Sequence, residues 1–300
     1  MTEYIAIVDG YGTIVSMKRL AIALALLLPC VPLAQDSSSL TESQIRELIR
    51  KSADNDVENT KRQRDYTFVQ RTEQRRLDGK GRVKATESKT YEIMVLSGDP
   101  VRKLIAKDDR PLSAKDGKKE DDKIQKLIAK YEKENEGQRR KRIAKDEKTA
   151  EEDRQFVREI ADAFHFRLLR TEALAGRDTY VIDAEPIPGY KPRLKDANIL
   201  PKVRFRLWLD KADTQWAKID VECIDTISWG LFLARLHKGS TMHLEQTRVN
   251  DEVWLPKSFS LKMDARVVLL KSLNMDIDVS FRDYKKFVAA TTIKPLGEIP

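Results

Sequence analysis

The side chains best suited to metal binding or nucleophilic chemistry are few: His165, His237, His243, Cys30 and Cys223. His237 and His243 flank Gly239, and Glu245 follows two residues later. Gathered at one hairpin turn, they would have the composition of a two-His, one-carboxylate metal site. Two histidines beside a turn are more commonly surface residues, and that is the reading preferred here. Cys223 sits in an alternating apolar pattern with no histidine beside it, which predicts an inert buried thiol. No G-x-S-x-G, H-E-x-x-H or phosphate-loop motif occurs. Asp78-Gly79-Lys80-Gly81-Arg82 reads as a turn and not as a phosphate cradle, since no helix pattern follows it. The chain is therefore expected to be no enzyme and to need neither metal nor cofactor. A hydrolase would reveal itself by turnover lost on changing His237 or His243.

The elements that position these residues belong to a chain of 300 residues, 41% hydrophobic and 35% charged. That is ample for a core and for one large or two small domains. The net charge of +8 suits nucleic acid, an anionic membrane or an acidic partner. The N-terminus selects among them. Met17-Lys18-Arg19 precedes the apolar run Leu20 to Leu28, Pro29 ends the run, and Leu33-Ala34 offers a cleavage site before Gln35. The run is too short for a membrane span. We expect residues 1–16 to be a mis-assigned start, 17–34 a signal peptide and 35–40 a linker. Pro29 before Cys30 fits a lipidation signal badly. After cleavage Cys223 is alone, so no intrachain disulfide forms. The expected compartment is the periplasm, and export argues against nucleic acid as the partner.

Residues 202–221 read as a β-hairpin. Val203, Phe205, Leu207 and Leu209 alternate with Arg204, Arg206, Trp208 and Asp210, and Lys211 to Thr214 form a polar turn. Ala217, Ile219 and Val221 then alternate with Lys218, Asp220 and Glu222. One apolar and one charged face predict an antiparallel sheet covered on one side. Upstream, Thr41 and Gln44 form a capping box, and Ile45, Leu48 and Ile49 an apolar stripe, giving a helix to about Asn55. Strands follow from Tyr66 to Arg76, Val83 to Leu96 and Val101 to Lys107. Residues 115–163 are dominated by charge and read as two helices. The first carries the stripe Ile124, Leu127, Ile128, Tyr131; the second carries Phe156, Val157, Ile160, Ala161 and Phe164. The basic run Gln138 to Arg142 reads as a solvated helix face. Strands then run from Phe164 to Leu169 and Thr179 to Ala184, and a proline loop without regular structure extends to Pro201. Beyond the hairpin come Ile227 to His237, Met242 to Val249, Val253 to Leu255 with Phe259 to Met263, Ala265 to Leu270, and Met275 to Tyr284.

Gly176-Arg177-Asp178-Thr179-Tyr180-Val181-Ile182, the loop Tyr190-Lys191-Pro192, and Trp208-Leu209-Asp210-Lys211 opening a hairpin resemble the outer-membrane lipoprotein-sorting (LolA/LolB-like) superfamily. The related periplasmic domains of the RseB/MucB type are similar too. The resemblance runs from about Ser39 to Phe287. It implies an α+β fold: an open antiparallel β half-barrel of about 11 strands, with helices plugging the concave face and acyl chains between. A single domain would occupy residues 41–300, with a charged helical insertion at 115–163. Each buried methylene contributes roughly 0.8 kcal/mol, so such a groove binds acyl chains with little polar recognition. Phe205, Leu207, Ile219, Leu231, Leu233 and Leu244 would line it, and Phe156, Ile160 and Phe164 would form a lid helix. The same residues would serve equally as ordinary core. The expected function is a monomeric periplasmic carrier of lipid or lipoprotein acyl chains. The alternative is an envelope sensor or adaptor that binds a protein through the same shell, with the basic helices meeting an acidic partner or anionic membrane.

Overall fold

The computed structural model describes residues 40–229, 234–267 and 270–287. The expected start, signal peptide and Cys30, and all of the linker but Leu40, lie outside the described residues.

Helix α1 (Glu42–Gln63) begins at the expected capping box: Gln44 N–H donates to the Thr41 hydroxyl, and Thr41 N–H donates to the Gln44 side chain. It runs about two turns past Asn55. The extension buries Asn59 and Gln63, not apolar residues, and hydrophobic periodicity does not register them. Asn59 exchanges two 2.8 Å hydrogen bonds with the backbone of Trp254, and Gln63 donates to the same carbonyl at 2.7 Å.

Thirteen strands form one antiparallel sheet among the described residues. Strands β1 (Tyr66–Leu77), β2 (Val83–Leu96), β3 (Asp99–Lys107) and β4 (Arg110–Pro111) make one wing. Helices α2 (Ala114–Glu132) and α3 (Glu136–Ala163) follow. Then come β5 (Phe164–Leu174), β6 (Arg177–Pro186), β7 (Val203–Asp210), β8 (Trp216–Cys223), β9 (Ile227–Trp229), β10 (Ala234–Leu236), β11 (Thr241–Val249), β12 (Val253–Val267) and β13 (Leu270–Lys286). The order across the sheet is β4-β3-β2-β1-β13-β12-β11-β8-β7-β6-β5, with β9 and β10 off this path. The sheet is open, a half-barrel. Asp108-Asp109 and Asn250-Asp251 hold positive φ at both positions, as two-residue type I′ hairpin turns require.

Strand readings and one loop reading are corrected. Ile227 to His237 is not one strand: β9 and β10 pair with each other. Val253 to Leu255 and Phe259 to Met263 are one strand, β12, because a register shift between Glu245 and Gln246 on β11 accommodates Pro256. Ala265 to Leu270 is not a strand of its own, since β12 continues to Val267 and Leu270 opens β13. Strand β13 is longer than Met275 to Tyr284 at both ends. The proline loop ends in a 3-10 helix, Lys195–Lys202, which buries Ala197, Ile199 and Leu200. A further correction concerns the charged face of the opening hairpin, where Trp208 and Asp210 are buried. Trp208 lies beneath Lys218 and donates to Glu172.

The charged helices connect β4 at one edge of the sheet to β5 at the other. Eleven strands at about 4.8 Å spacing span roughly 48 Å, and the 28 residues of α3 reach about 42 Å. The segment is thus a strap between opposite edges. Its first half buries Ile124 alone, and its second half meets the main core cluster through Phe156, Ile160, Ala161 and Ala163 and buries Glu159. Both edges are blunted by a helix carboxylate. Glu42 accepts from the Phe166 N–H of β5 at 3.4 Å, and Glu120 of α2 accepts from the Leu104 N–H of β3 at 3.3 Å.

Candidate functional site: an apolar face beneath two helices

Cross-strand register aligns the inward side chains into continuous rows. One row reads Leu168, Ile182, Leu207, Ile219, Leu244, Phe259 and Val279, one residue from each of β5, β6, β7, β8, β11, β12 and β13. The neighbouring row reads Phe166, Ala184, Phe205, Val221, Met242, Leu261 and Ile277. Directly opposed side chains touch in such ladders, so the rows form one apolar floor seven strands wide. At β1 the floor turns polar, with Thr72 beside Val279 and Gln74 beside Ile277.

The roof is thin. Helix α1 contributes Ile45, Leu48 and Ile49, and α3 contributes Phe156, Val157 and Ile160, to one core cluster with the floor. Phe205, Leu207, Ile219 and Leu244 lie on the floor at 3, 5, 9 and 8% exposure, so the face is closed in this structure. Leu231 and Leu233 lie outside the described residues. Phe156 and Ile160 lie on the roof, at 2% and 1% exposure. Phe164 does not belong to a lid helix: α3 ends at Ala163, and Phe164 is the extended first residue of β5. Its ring packs edge-on against Phe205, with centroids 5.0 Å apart.

Polar clasps fasten the roof at its rim. Glu159 of α3, 2% exposed, accepts from the backbone N–H groups of Arg193 and Leu194 and from the Tyr190 hydroxyl. The Tyr190-Lys191-Pro192 loop is therefore held by a helix carboxylate. Asp162 binds Arg193 and Arg50, and these two guanidinium groups outweigh burial to keep its pKa below the ordinary value. Arg46 of α1 donates to the carbonyls of Ala161 and Phe164, satisfying the end of α3, and Glu42 holds Arg46 in place. Neither Glu159 nor Arg46 carries a sequence signal; a buried charge within an apolar helix stripe is the one hint available for Glu159.

A second polar network lies at the β7–β8 turn. Asp213 accepts from Arg177, Arg248 and the Trp254 indole. Asn55 of α1 donates to the carbonyls of Asp213 and Thr214. Thr214, 6% exposed, has φ +50°, a costly conformation for a β-branched residue. Asp213, Asn55 and the Trp254 indole are all satisfied by neighbours, so the network reads as structure.

The histidines do not assemble. Among the described residues no three His, Cys, Asp or Glu side chains are placed to hold a metal. His165 faces Glu42 at 3.3 Å, His243 faces Asp220 at 2.8 Å, and Glu245 pairs with Lys257. Asp220, His243 and Ser260 do stand in register across β8, β11 and β12. They sit on the outer, charged face of the sheet, where Asp220 also pairs with Lys218. Burial pushes the Cys223 thiol up to about 12, which removes its nucleophilic form at neutral pH. Among the described residues no helix is long and apolar enough to cross a membrane.

No family model and no curated protein matches the chain. Solved structures do. An outer membrane lipoprotein-sorting protein domain from Vibrio parahaemolyticus is 12% identical, covers 79% of this chain and 92% of its own, and gives a TM-score of 0.32. A LolA superfamily protein from Nitrosomonas europaea is 12% identical over 82% of this chain and 95% of its own, with TM-score 0.26. The sheet of this chain is open and antiparallel, and helices cover one of its faces. MucB, solved in complex with MucA, is 11% identical over 81% of this chain and 99% of its own, with TM-score 0.22.

Proposed function

We propose that the chain is a non-enzymatic periplasmic binding protein that holds acyl chains of a lipid or lipoprotein between the seven-strand floor and the α1–α3 roof. One observation carries the reading. The floor is apolar without interruption along two rows, whereas the roof covers it with a handful of side chains and is fastened by polar contacts at its rim. Hydrocarbon can replace those side chains at roughly 0.8 kcal/mol per methylene. Because Phe205, Leu207, Ile219 and Leu244 are covered, entry requires α3 to withdraw from the floor. Leu231 and Leu233 remain part of the proposed lining on the strength of the sequence.

The test is to express residues 35–300, extract the purified protein for lipid by mass spectrometry, and titrate it with a fluorescent fatty acid. Stoichiometric acyl ligand, or saturable probe binding weakened by Leu207→Glu, supports the carrier reading. An empty protein that also ignores the probe overturns it, and the shell would then be read as a protein-binding module.

A further inference from the structure

The corner where α2 meets α3 carries a charge pattern that the fold does not consume. Arg142 is fully engaged: it pairs with Asp99 and Glu134, stacks over Tyr131 and so anchors the corner to the β2–β3 turn. Arg140 pairs with Glu136. These contacts take up Asp99, Glu134 and Glu136. Lys126, Lys130, Lys133, Arg139, Lys141 and Lys145 are exposed and carry no ion pair among the described residues. Lys126, Lys130 and Lys133 recur at helical spacing opposite the stripe Ile124, Leu127, Ile128 and Tyr131, so they point away from the sheet. Ile143, 43% exposed, follows Arg139 and Arg140 by one turn of α3 and lies among these cations.

We infer that this corner docks on a bilayer surface bearing anionic headgroups. Unpaired cations spread around a projecting corner match a flat field of negative charge, and an exposed isoleucine between them can enter the headgroup region. An acidic protein partner would need no such side chain, and the corner's aromatic residue, Tyr131, is already engaged by Arg142 and Asp99. The inference stands apart from the acyl-binding reading, since docking and probe binding are measured separately and either can fail alone.

The experiment is flotation of residues 35–300 with vesicles of phosphatidylcholine, with and without phosphatidylglycerol, at low and high salt. Binding is expected only with phosphatidylglycerol and is lost at high salt. The triple variant Arg139→Glu, Arg140→Glu, Lys141→Glu should weaken it by about a hundredfold, and Ile143→Ser by about tenfold. Circular dichroism checks that each variant folds. Lys80→Glu with Lys84→Glu, at the β1–β2 turn on the other end of β2, is the charge control and should change binding far less. Three outcomes overturn the inference: no flotation of the unaltered protein, equal loss in the control variant, or capture by soluble polyglutamate without flotation.

Discussion

Arg177 grips Asp210 with two parallel hydrogen bonds, Nε to Oδ2 at 2.7 Å and Nη2 to Oδ1 at 2.9 Å. Arg177 opens β6 and Asp210 closes β7, so the pair locks two neighbouring strands in register. Both residues lie in motifs that carry the sequence resemblance. Burial raises the Asp210 pKa, but Arg177 and the backbone N–H groups of Asp213 and Ala212 outweigh it and hold the carboxyl below its ordinary 3.8. The resulting stabilisation is complete above that value and is lost as pH falls through the lower folded value. Arg177→Met leaves Asp210 buried and unpaired, at an expected cost of about 3 kcal/mol. In urea titrations the variant should lose stability at neutral pH and show a shallower decline in acid than the unaltered chain. An equal midpoint at pH 7 would refute the assignment.

Asn59→Ala should cost about 2–3 kcal/mol, because it strands the buried Trp254 N–H and removes one of two donors to its carbonyl. Asn59→Leu should be no better, although it adds apolar bulk at a buried site. Chemical denaturation of the two variants checks this; a stabilised leucine variant would show that shape matters there and pairing does not.

Glu159→Ala removes the acceptor for two backbone N–H groups and a tyrosine hydroxyl, an expected loss of about 1–3 kcal/mol. If α3 must withdraw for ligand entry, the loss falls on the closed state and the acyl probe binds more tightly in the variant, despite its lower Tm. A parallel fall in Tm and in affinity would instead make Glu159 part of a static core.

Cys223 should resist alkylation in the native protein and react at a rate set by unfolding. Its thiol ionises near 9 when unfolded and near 12 when folded. The unfolded state therefore gains by losing a proton first, and stability declines as pH rises between those values. Cys223→Ala should flatten part of that decline in alkaline melting curves. Fast labelling with a maleimide at pH 8, without denaturant, would contradict the burial.

The hairpins were legible because period-two alternation and turn residues are local, and Thr41 with Gln44 marked the start of α1 for the same reason. What escaped the sequence is non-local or polar. The second half of α1 is buried by amides that read as surface residues, Asn59 and Gln63. Trp208 and Asp210 occupy the polar parity of β7 and are buried by partners on other strands, Glu172, Lys218 and Arg177. Phe164 continued the apolar stripe of α3 and also began the alternation of β5, and periodicity alone does not choose between them. Residues 115–163 looked like an insertion because nothing local reveals that β4 and β5 are opposite edges of one sheet.

Strand β1 pairs with β13 along its whole length, from Tyr66 opposite Lys286 to Leu77 opposite Asn274. The middle of the sheet is thus made from the two ends of the domain. A chain emerging N-terminus first can form its hairpins early, yet the seam between the wings waits for its last strand. Until then the free edge of β1 is available to any other extended chain. A product cut short before Leu270 would hold two half-sheets with nothing to zip them, and would be a substrate for chaperones or proteases and not a smaller working protein.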